Sequence, residues 1–568
     1  MSAGQDPNPR ESGDLALFAR RFGQSSLDAL FPIDLRGDRL SMLIQAGGAA
    51  LDSGGARFSN PRRDHSDRAS TSYDSPHPNL ASLVRSIAEE YLDNAVNWRS
   101  PNLQYNLGAP PTLSSVALYA LGLDANVYLI NDGLAGKAID AEVEVSRFLS
   151  RISGVDESVA RGLFVFGGTG TIAYAIRCGL AKSTPDIMEN GVSKDTFVAI
   201  TEEAHFSHAR SSRWLGLGER QIQLLPVSEQ RVTLFDESVA LIEARVARGE
   251  RPAAVVLNGG TTYDHSVDAV ERFREFLDDL ASRYELGYTP HIHVDSVIGW
   301  EWLVFRGHDF SSDSDLSRDT VEKLEEQTQL IATAVANADS WGVDFHKGAG
   351  SSPIDCSMVQ FNDGRDLGYL NRGSAASEMH QLATELSAYS PAEYTLETSR
   401  AGAKALAALG SIRGLGIAGY QTILAGLIEV AQAFRGAVDQ LPDIDVANSH
   451  SRGYQSMLRM FPPELEKSEL RATERTRSDQ IQATYSKSVN SYIREFVEWD
   501  EANRMAIGGD GPYYSFSSNF VPTPSGTGLA GLKFYPTSPR ISKNDALLSV
   551  EFIAEAKRTF DRERGSRS

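Results

Sequence analysis

Cysteine is nearly absent: Cys178 and Cys356 are the only two in 568 residues. Two thiols cannot build a disulfide framework or a multi-cysteine metal site, and such a composition suits a reducing compartment. A basic balance is missing too. Lys and Arg number 55 against 75 Asp and Glu, a formal charge of −20. That argues against nucleic acid or an anionic membrane as the main partner, because a phosphate backbone needs a basic face. An anionic substrate would need a positive pocket of its own. No run of about 18 consecutive apolar residues occurs, so no membrane span is expected. The first residues, MSAGQDPNPRESGD, lack the apolar stretch of a signal peptide. A cytoplasmic location is the expectation.

What is present is the pattern of an α/β protein. Hydrophobic content of 41% is an ordinary globular value, and the length allows two or three packed domains. Gly48–Pro78 is rich in Ser, Arg, Asp, Gly and Pro and reads as an extended surface segment. A helical pattern follows near Leu80–Ala95, then an irregular piece, SPNLQYNLGAPP, at Ser100–Pro111. Between Leu113 and Phe305, amphipathic helical patterns alternate with short apolar runs: FVF, TFVAIT, IQLLPV, AAVVLNGG and HIHVDSVI. Such alternation predicts helices around a mostly parallel sheet. A polar helical stretch at Asp313–Asn337 leads to two further strand patterns, in ADSWGVDFHKGAG and CSMVQFND. Gly364–Arg400 has weak periodicity, and a loop this long is usually functional or disordered. The C-terminal part offers a glycine-interrupted helical region, strands at SMLRMFPP and GLKFYP, a polar helix around Arg471–Glu498 and a final helix.

Chemistry concentrates at Lys347, in VDFHKGAGSS, between an apolar strand and a Gly/Ser-rich loop. A lysine amine held and desolvated there can form a Schiff base to an aldehyde cofactor. Most lysines at strand ends are merely solvated, so Lys347 needs company. Asp295 ends the apolar strand in HIHVDSVIGW, at the sheet edge where open α/β proteins bind ligands. A carboxylate there can keep a pyridinium nitrogen protonated; a turn aspartate is the plainer alternative. In FVFGGTGTIAYA a glycine turn opens a helix, and Gly168 and Thr169 can cradle a phosphate at its N-terminus. His205, in EEAHFSH, can stack on a flat ring.

In this order the strings resemble the group II pyridoxal-phosphate-dependent decarboxylases, the family of glutamate and aromatic-L-amino-acid decarboxylases. NGGTTYDHSVD, WLGLG, TLETSR, GYQSMLRMFPP and GLKFYPTSP extend the resemblance from about Ser100 to the end, more loosely in the last hundred residues. It implies an aspartate-aminotransferase-like (fold type I) architecture: a large domain with a mostly parallel seven-stranded sheet and a small C-terminal α/β domain. The corresponding division is an N-terminal arm and helical segment at 1–112, a large domain at 113–415 with a mobile catalytic loop at 364–400, and a small domain at 416–568.

By the same resemblance the cofactor is pyridoxal 5'-phosphate and Lys347 is its Schiff-base lysine. His346 falls beside the phosphate or imine, Asp295 on the pyridinium nitrogen and His205 on the ring face. Gly168 and Thr169 fall at phosphate positions, Thr262 at a cofactor contact, and Asp344 near the lysine. Tyr389 is the implied proton donor of the loop, with Tyr394 and Tyr369 as fallbacks, and Arg400 is implied on the substrate or phosphate side. The expected reaction converts an L-amino acid to an amine and carbon dioxide, in a homodimer with shared sites.

Departures from the family pattern, at Gly170–Ile172, Ser296 and the GAGSS after Lys347, leave the substrate open. SPNLQYNLGAPP and Gly348–Pro353 are expected to line the pocket. Both are neutral, and no basic cluster suggests a second substrate carboxylate. A valine- or methionine-like substrate is therefore the expectation, consistent with a valine/methionine decarboxylase-like branch. Two rival readings stand beside this one. The first is another pyridoxal-phosphate reaction, such as carbon–carbon lyase, transaminase or aldehyde synthase chemistry. The second is a metal-dependent hydrolase, because His291, His293 and Asp295 alternate on one strand face, with His205 or His208 to complete the set.

Overall fold

The computed structural model describes residues 39–51, 79–92, 98, 100–228, 230–312, 316–370, 389–463, 480–504, 511–522 and 527–567. The chain forms two compact units, 1–97 and 98–568. The described part of the first is two helices in contact, Arg39–Leu51 and Leu80–Leu92.

The second unit is organised by a seven-stranded sheet. Its strands are β1 (Arg161–Val165), β2 (Thr196–Thr201), β3 (Ile222–Leu225), β4 (Arg251–Asn258), β5 (His291–Asp295), β6 (Ser340–Asp344) and β7 (Ser357–Phe361). They lie in the order β1-β7-β6-β5-β4-β2-β3. Only β7 runs against its neighbours. β2, β5, β6 and β7 are buried at every residue, which is why each appears in the sequence as a short apolar run rather than an alternating one. The helix Gly167–Ser183 crosses β4 to β7, and Trp300, Trp302 and Trp341 are fully buried in the core.

A four-stranded antiparallel sheet forms the C-terminal part: β8 (Ile444–Val446), β9 (Ser456–Met460), β10 (Ser515–Pro522) and β11 (Gly528–Phe534), in the order β10-β11-β9-β8. β9 and β11 match the expected strands, whereas β8 and β10 are additions. The helices Gln480–Asn503 and Lys543–Arg567 accompany this sheet.

The expected domain limits shift. The first boundary lies at 97/98 instead of 112/113, because the irregular segment after Trp98 belongs to the second unit. The boundary at 415/416 divides no compact units. It falls inside the helix Ala403–Asp439, at a kink where Gly416 has φ 61° and ψ 176°. Among the described residues this helix alone is long and apolar enough to cross a bilayer. Ala405, Ala408, Leu424, Ile428 and Phe434 are instead buried against Leu113–Asp124, Lys543–Arg567 and the rest of the core.

Candidate active site

Three parallel strands end in polar residues at one edge of the sheet: Asn258 on β4, Asp295 on β5 and Asp344 on β6. The helix Gly167–Ser183 begins at the same edge, directly after β1. A cavity of ≈ 220 Å³ lies there, where open parallel sheets place ligands. Its walls include Gly168, Thr169, His205, Thr262, Asp295, Asp344, His346 and Lys347. Every residue expected to hold the cofactor is therefore brought into one cavity.

Lys347 Nζ is 2.7 Å from Asp344 Oδ2. Burial pulls the amine down, but Asp344, with a smaller contribution from Asp295, more than offsets this and holds it above the ordinary lysine range. Asp344 is fully buried and also accepts from Ser357 Oγ at 2.5 Å. A Cβ at position 168 would lie 3.0 Å from Asp344 Oδ2, so glycine lets the helix start approach this pair.

Asp295 is bonded to His208 Nε2 at 2.7 Å. Burial alone would push its carboxyl up. The His208 hydrogen bond and the surrounding imidazoles outweigh burial and hold it well below the usual carboxylate range. His205 is driven down to about 4, mainly by burial, so its ring is neutral at physiological pH. Its Nδ1 meets Ser207 Oγ at 2.7 Å. The first-turn amides of Gly168 and Thr169 lack partners within their helix, which makes that terminus a site for an anion.

The segment SPNLQYNLGAPP runs along the lysine turn. Gly348 N donates to Leu107 O at 2.9 Å, Ala109 N donates to His346 O at 3.1 Å, and Leu107 lines the cavity. Gly348–Pro353, expected to line it as well, does not; Gly348 and Ala349 turn instead toward Glu301 and Tyr454. Of the departures from the family pattern, Ile172 reaches the cavity, while Ser296 is buried and donates to Gly259 O. Lys347 is the one Lys or Arg among the described lining residues.

Arg400 and Tyr389 lie away from the cavity of this chain. The Arg400 guanidinium is buried and held by Glu142 at 2.6 Å and by the carbonyl of Phe164, leaving it a structural tie. Tyr389 packs beside that ion pair rather than near Lys347, with its hydroxyl pushed far up by burial and by Glu142. Tyr394 packs against a buried cluster that includes Tyr174, Val359 and Leu367, and Tyr369 lies under Lys182; neither lines the cavity. The rest of the expected loop, 371–388, lies outside the described residues.

The metal set is also not assembled. His291 Nε2 and His293 Nδ1 both meet Ser340 Oγ at 2.8 Å, whereas Asp295 is engaged by His208. His208 appeared in the sequence reading only as a fourth metal ligand. The signal for its real place was its spacing of three residues from His205, at the start of the helix Ser207–Trp214.

Together the fold and site define a large α/β unit with a lysine-bearing cavity at the C-terminal edge of its sheet. The chain belongs to the family described as the pyridoxal-dependent decarboxylase conserved domain, whose model matches residues 71–454. The glutamate decarboxylase-like protein FG08083 of Gibberella zeae is 22% identical over 290 residues, covering 50% of this chain and 50% of that protein. The acidic amino acid decarboxylase GADL1 of Bos taurus is 26% identical over 149 residues, 26% of this chain and 27% of the relative. The matched region thus spans half or less of these curated relatives. Among solved structures, Oryza sativa TDC with PLP and tryptamine superposes with a TM-score of 0.72 at 15% identity, over 93% of this chain and 99% of that one. Mouse CSAD in apo form gives 0.68 at 15% identity, over 92% and 99%. These two likenesses concern the fold.

The family's cofactor is pyridoxal phosphate, and the residues present fit it. A lysine amine, an anionic carboxylate, a neutral imidazole and a helix N-terminus surround one cavity, and Gly168 leaves open the space a side chain would fill.

Proposed function

We propose that the chain removes the α-carboxyl group of an amino acid, giving the amine and carbon dioxide. The observation that carries this reading is that Lys347 and Asp295 line one cavity at the sheet edge, each held in place by a buried partner, Asp344 and His208. Pyridoxal phosphate, when bound, supplies the sink for the electron pair left as the carboxyl group departs.

The chain's own residues do the rest. Lys347 would provide the amine that holds the cofactor, and Asp344 Oδ2, 2.7 Å from Lys347 Nζ, is placed to take and return that amine's proton. Asp295 stays anionic because of His208, so it would favour a protonated ring nitrogen on the bound cofactor. His205 offers an uncharged flat face, and Gly168 and Thr169 anchor the phosphate. The proton donor to the substrate carbon is left unassigned within a single chain, since Tyr389 lies elsewhere. A homodimer in which loop residues of one copy reach the cavity of the other would supply it, and belongs to this proposal, as does a cytosolic location.

For substrate we favour a neutral aliphatic or thioether amino acid of the valine or methionine kind. Lys347 is the one cation among the described lining residues, which leaves nothing there to pair with a second substrate carboxylate. The test is product stoichiometry. With pyridoxal phosphate and a panel of amino acids, carbon dioxide and primary amine should form one to one, and methionine or valine should react faster than glutamate or aspartate. Aldehyde in place of amine would overturn the reaction. Preference for an acidic amino acid would overturn the substrate class.

A further inference from the structure

Behind the lysine turn lies a buried carboxyl group that the chemistry above does not use. Glu301 is 1% exposed and comes from the short 3₁₀ helix Trp300–Phe305, five residues beyond the end of β5. Its Oε2 accepts the amide of Ala349 at 2.5 Å, and its Oε1 accepts the hydroxyl of Tyr454 at 2.8 Å. Gly348, next to Lys347, has φ 54°, a left-handed conformation that favours glycine. A Cβ there would lie 2.3 Å from Tyr454 Oη and 2.4 Å from Glu301 Oε2. The main chain on the far side of Lys347 is thus fitted directly against the Glu301–Tyr454 pair. Tyr454 is itself fixed, stacked on Trp302 at 5.9 Å with its ring tilted only 8°.

We propose that Glu301, with Tyr454, is a positioning residue for Lys347, holding the Gly348–Ala349 main chain so that the lysine side chain is presented to the cavity. The inference rests on the reading of Lys347 as the cofactor lysine. Lys347 emerges from a turn with one side tied to Leu107 and Ala109 and the other tied to Glu301. Releasing the second tie lets the turn relax away from the cavity. A single short element then links Asp295 to Lys347, since Glu301 continues the chain from the strand that carries Asp295.

A carboxyl group is costly in this place unless it stays neutral or fully bonded. Burial pushes Glu301 up to about 8, although the Ala349 amide and the Tyr454 hydroxyl pull the other way. The titratable groups facing it are Tyr454 and Tyr420, both raised by burial, and among the described residues no Lys or Arg ion-pairs with it. A carboxyl raised on folding gives stability that is complete below its unfolded value and is lost as pH rises through the folded one. The carboxyl is therefore protonated near neutrality, and the stability it contributes falls as pH approaches and passes about 8.

Two readouts test this, one of them without cofactor. Amide hydrogen exchange across 345–356 in the cofactor-free protein should rise in Glu301→Ala. Affinity for pyridoxal phosphate, titrated by absorbance, should fall at least about tenfold in the same variant. Glu301→Gln can accept the Ala349 amide on its carbonyl oxygen and donate its NH2 to Tyr454 Oη, so both readouts should match the parent near pH 7. Its melting temperature should fall less than the parent's between about pH 6 and about pH 9. Tyr454→Phe serves in place of Glu301→Ala should the latter not fold, with a smaller change in the same direction. Unchanged exchange and affinity in Glu301→Ala, or a parent-like pH dependence in Glu301→Gln, would overturn the proposal. A parent protein that binds no pyridoxal phosphate would sink the cofactor reading instead, and the exchange measurement would still decide the brace.

Discussion

At the N-terminal edge of the large sheet, Asp339 and Asp366 sit among Lys182, Arg274 and His291. At the C-terminal edge, Asp295 and Asp344 sit with His208 and Lys347. The two clusters lie at opposite ends of the same strands and use the same residue types, yet they are balanced differently. At the first edge Lys182 is 2.7 Å from Asp366, Arg274 is 2.7 Å from Asp339, and His291 is kept neutral mainly by burial. Two carboxylates meet two cations, and the set closes on itself. Cys178 adds a thiol that burial keeps protonated. At the second edge two carboxylates meet one cation, and that cation faces a cavity. Buried charge that is fully paired serves as structure; buried charge left one partner short beside a cavity is a site for chemistry.

This contrast can be broken by substitution, and the largest effect belongs to the open cluster. Lys347→Ala should cost at least about 10⁴-fold in turnover. Asp295→Asn removes the negative charge facing the ring nitrogen and should lower turnover by about 10²–10³-fold. His208→Gln acts one step further back. Without the imidazole the Asp295 carboxyl rises, so activity should fall about tenfold and its acid limb should move to higher pH. Lys182→Met, in the closed cluster, should change turnover by less than about twofold while costing about 3–5 kcal/mol of stability in denaturant unfolding, because it strands Asp366. If Lys182→Met proved as damaging to turnover as Asp295→Asn, the distinction between the two edges would fail.

The same comparison explains what could be read from the sequence. Six of the seven strands of the large sheet are short runs buried at all or nearly all of their residues, and β3 (IQLL), though only partly buried, shares the short apolar pattern, so the sheet is legible in the sequence. Asp295 and Lys347 were visible because they interrupt apolar runs at strand ends. β8 is only three residues long, and β10 opens with SFSSNF, a serine-rich run with little apolar signal. Both are fixed by pairing with β9 and β11 rather than by local pattern. The glycine-rich helix Ala403–Asp439 suggested a boundary, but the chain continues through Gly416 with one packed core on either side. Arg400 was placed by the motif TLETSR and Tyr389 by an interval counted back from it, and neither signal says anything of Glu142, the partner that holds Arg400 away from the cavity. His208 and Glu301 escaped for a related reason. Each acts on a residue distant in sequence, Asp295 and Ala349, and such partners appear only in three dimensions.

The central claim is that Lys347, and not Lys182 of the closed cluster, holds the cofactor. Borohydride reduction of the protein with pyridoxal phosphate, followed by mass mapping of every lysine-bearing peptide, tests it most directly. The account predicts one pyridoxyl group per chain, on Lys347, with the visible absorption band bleached as it forms. A label on Lys182 or another lysine, or no stable label at all, would contradict it.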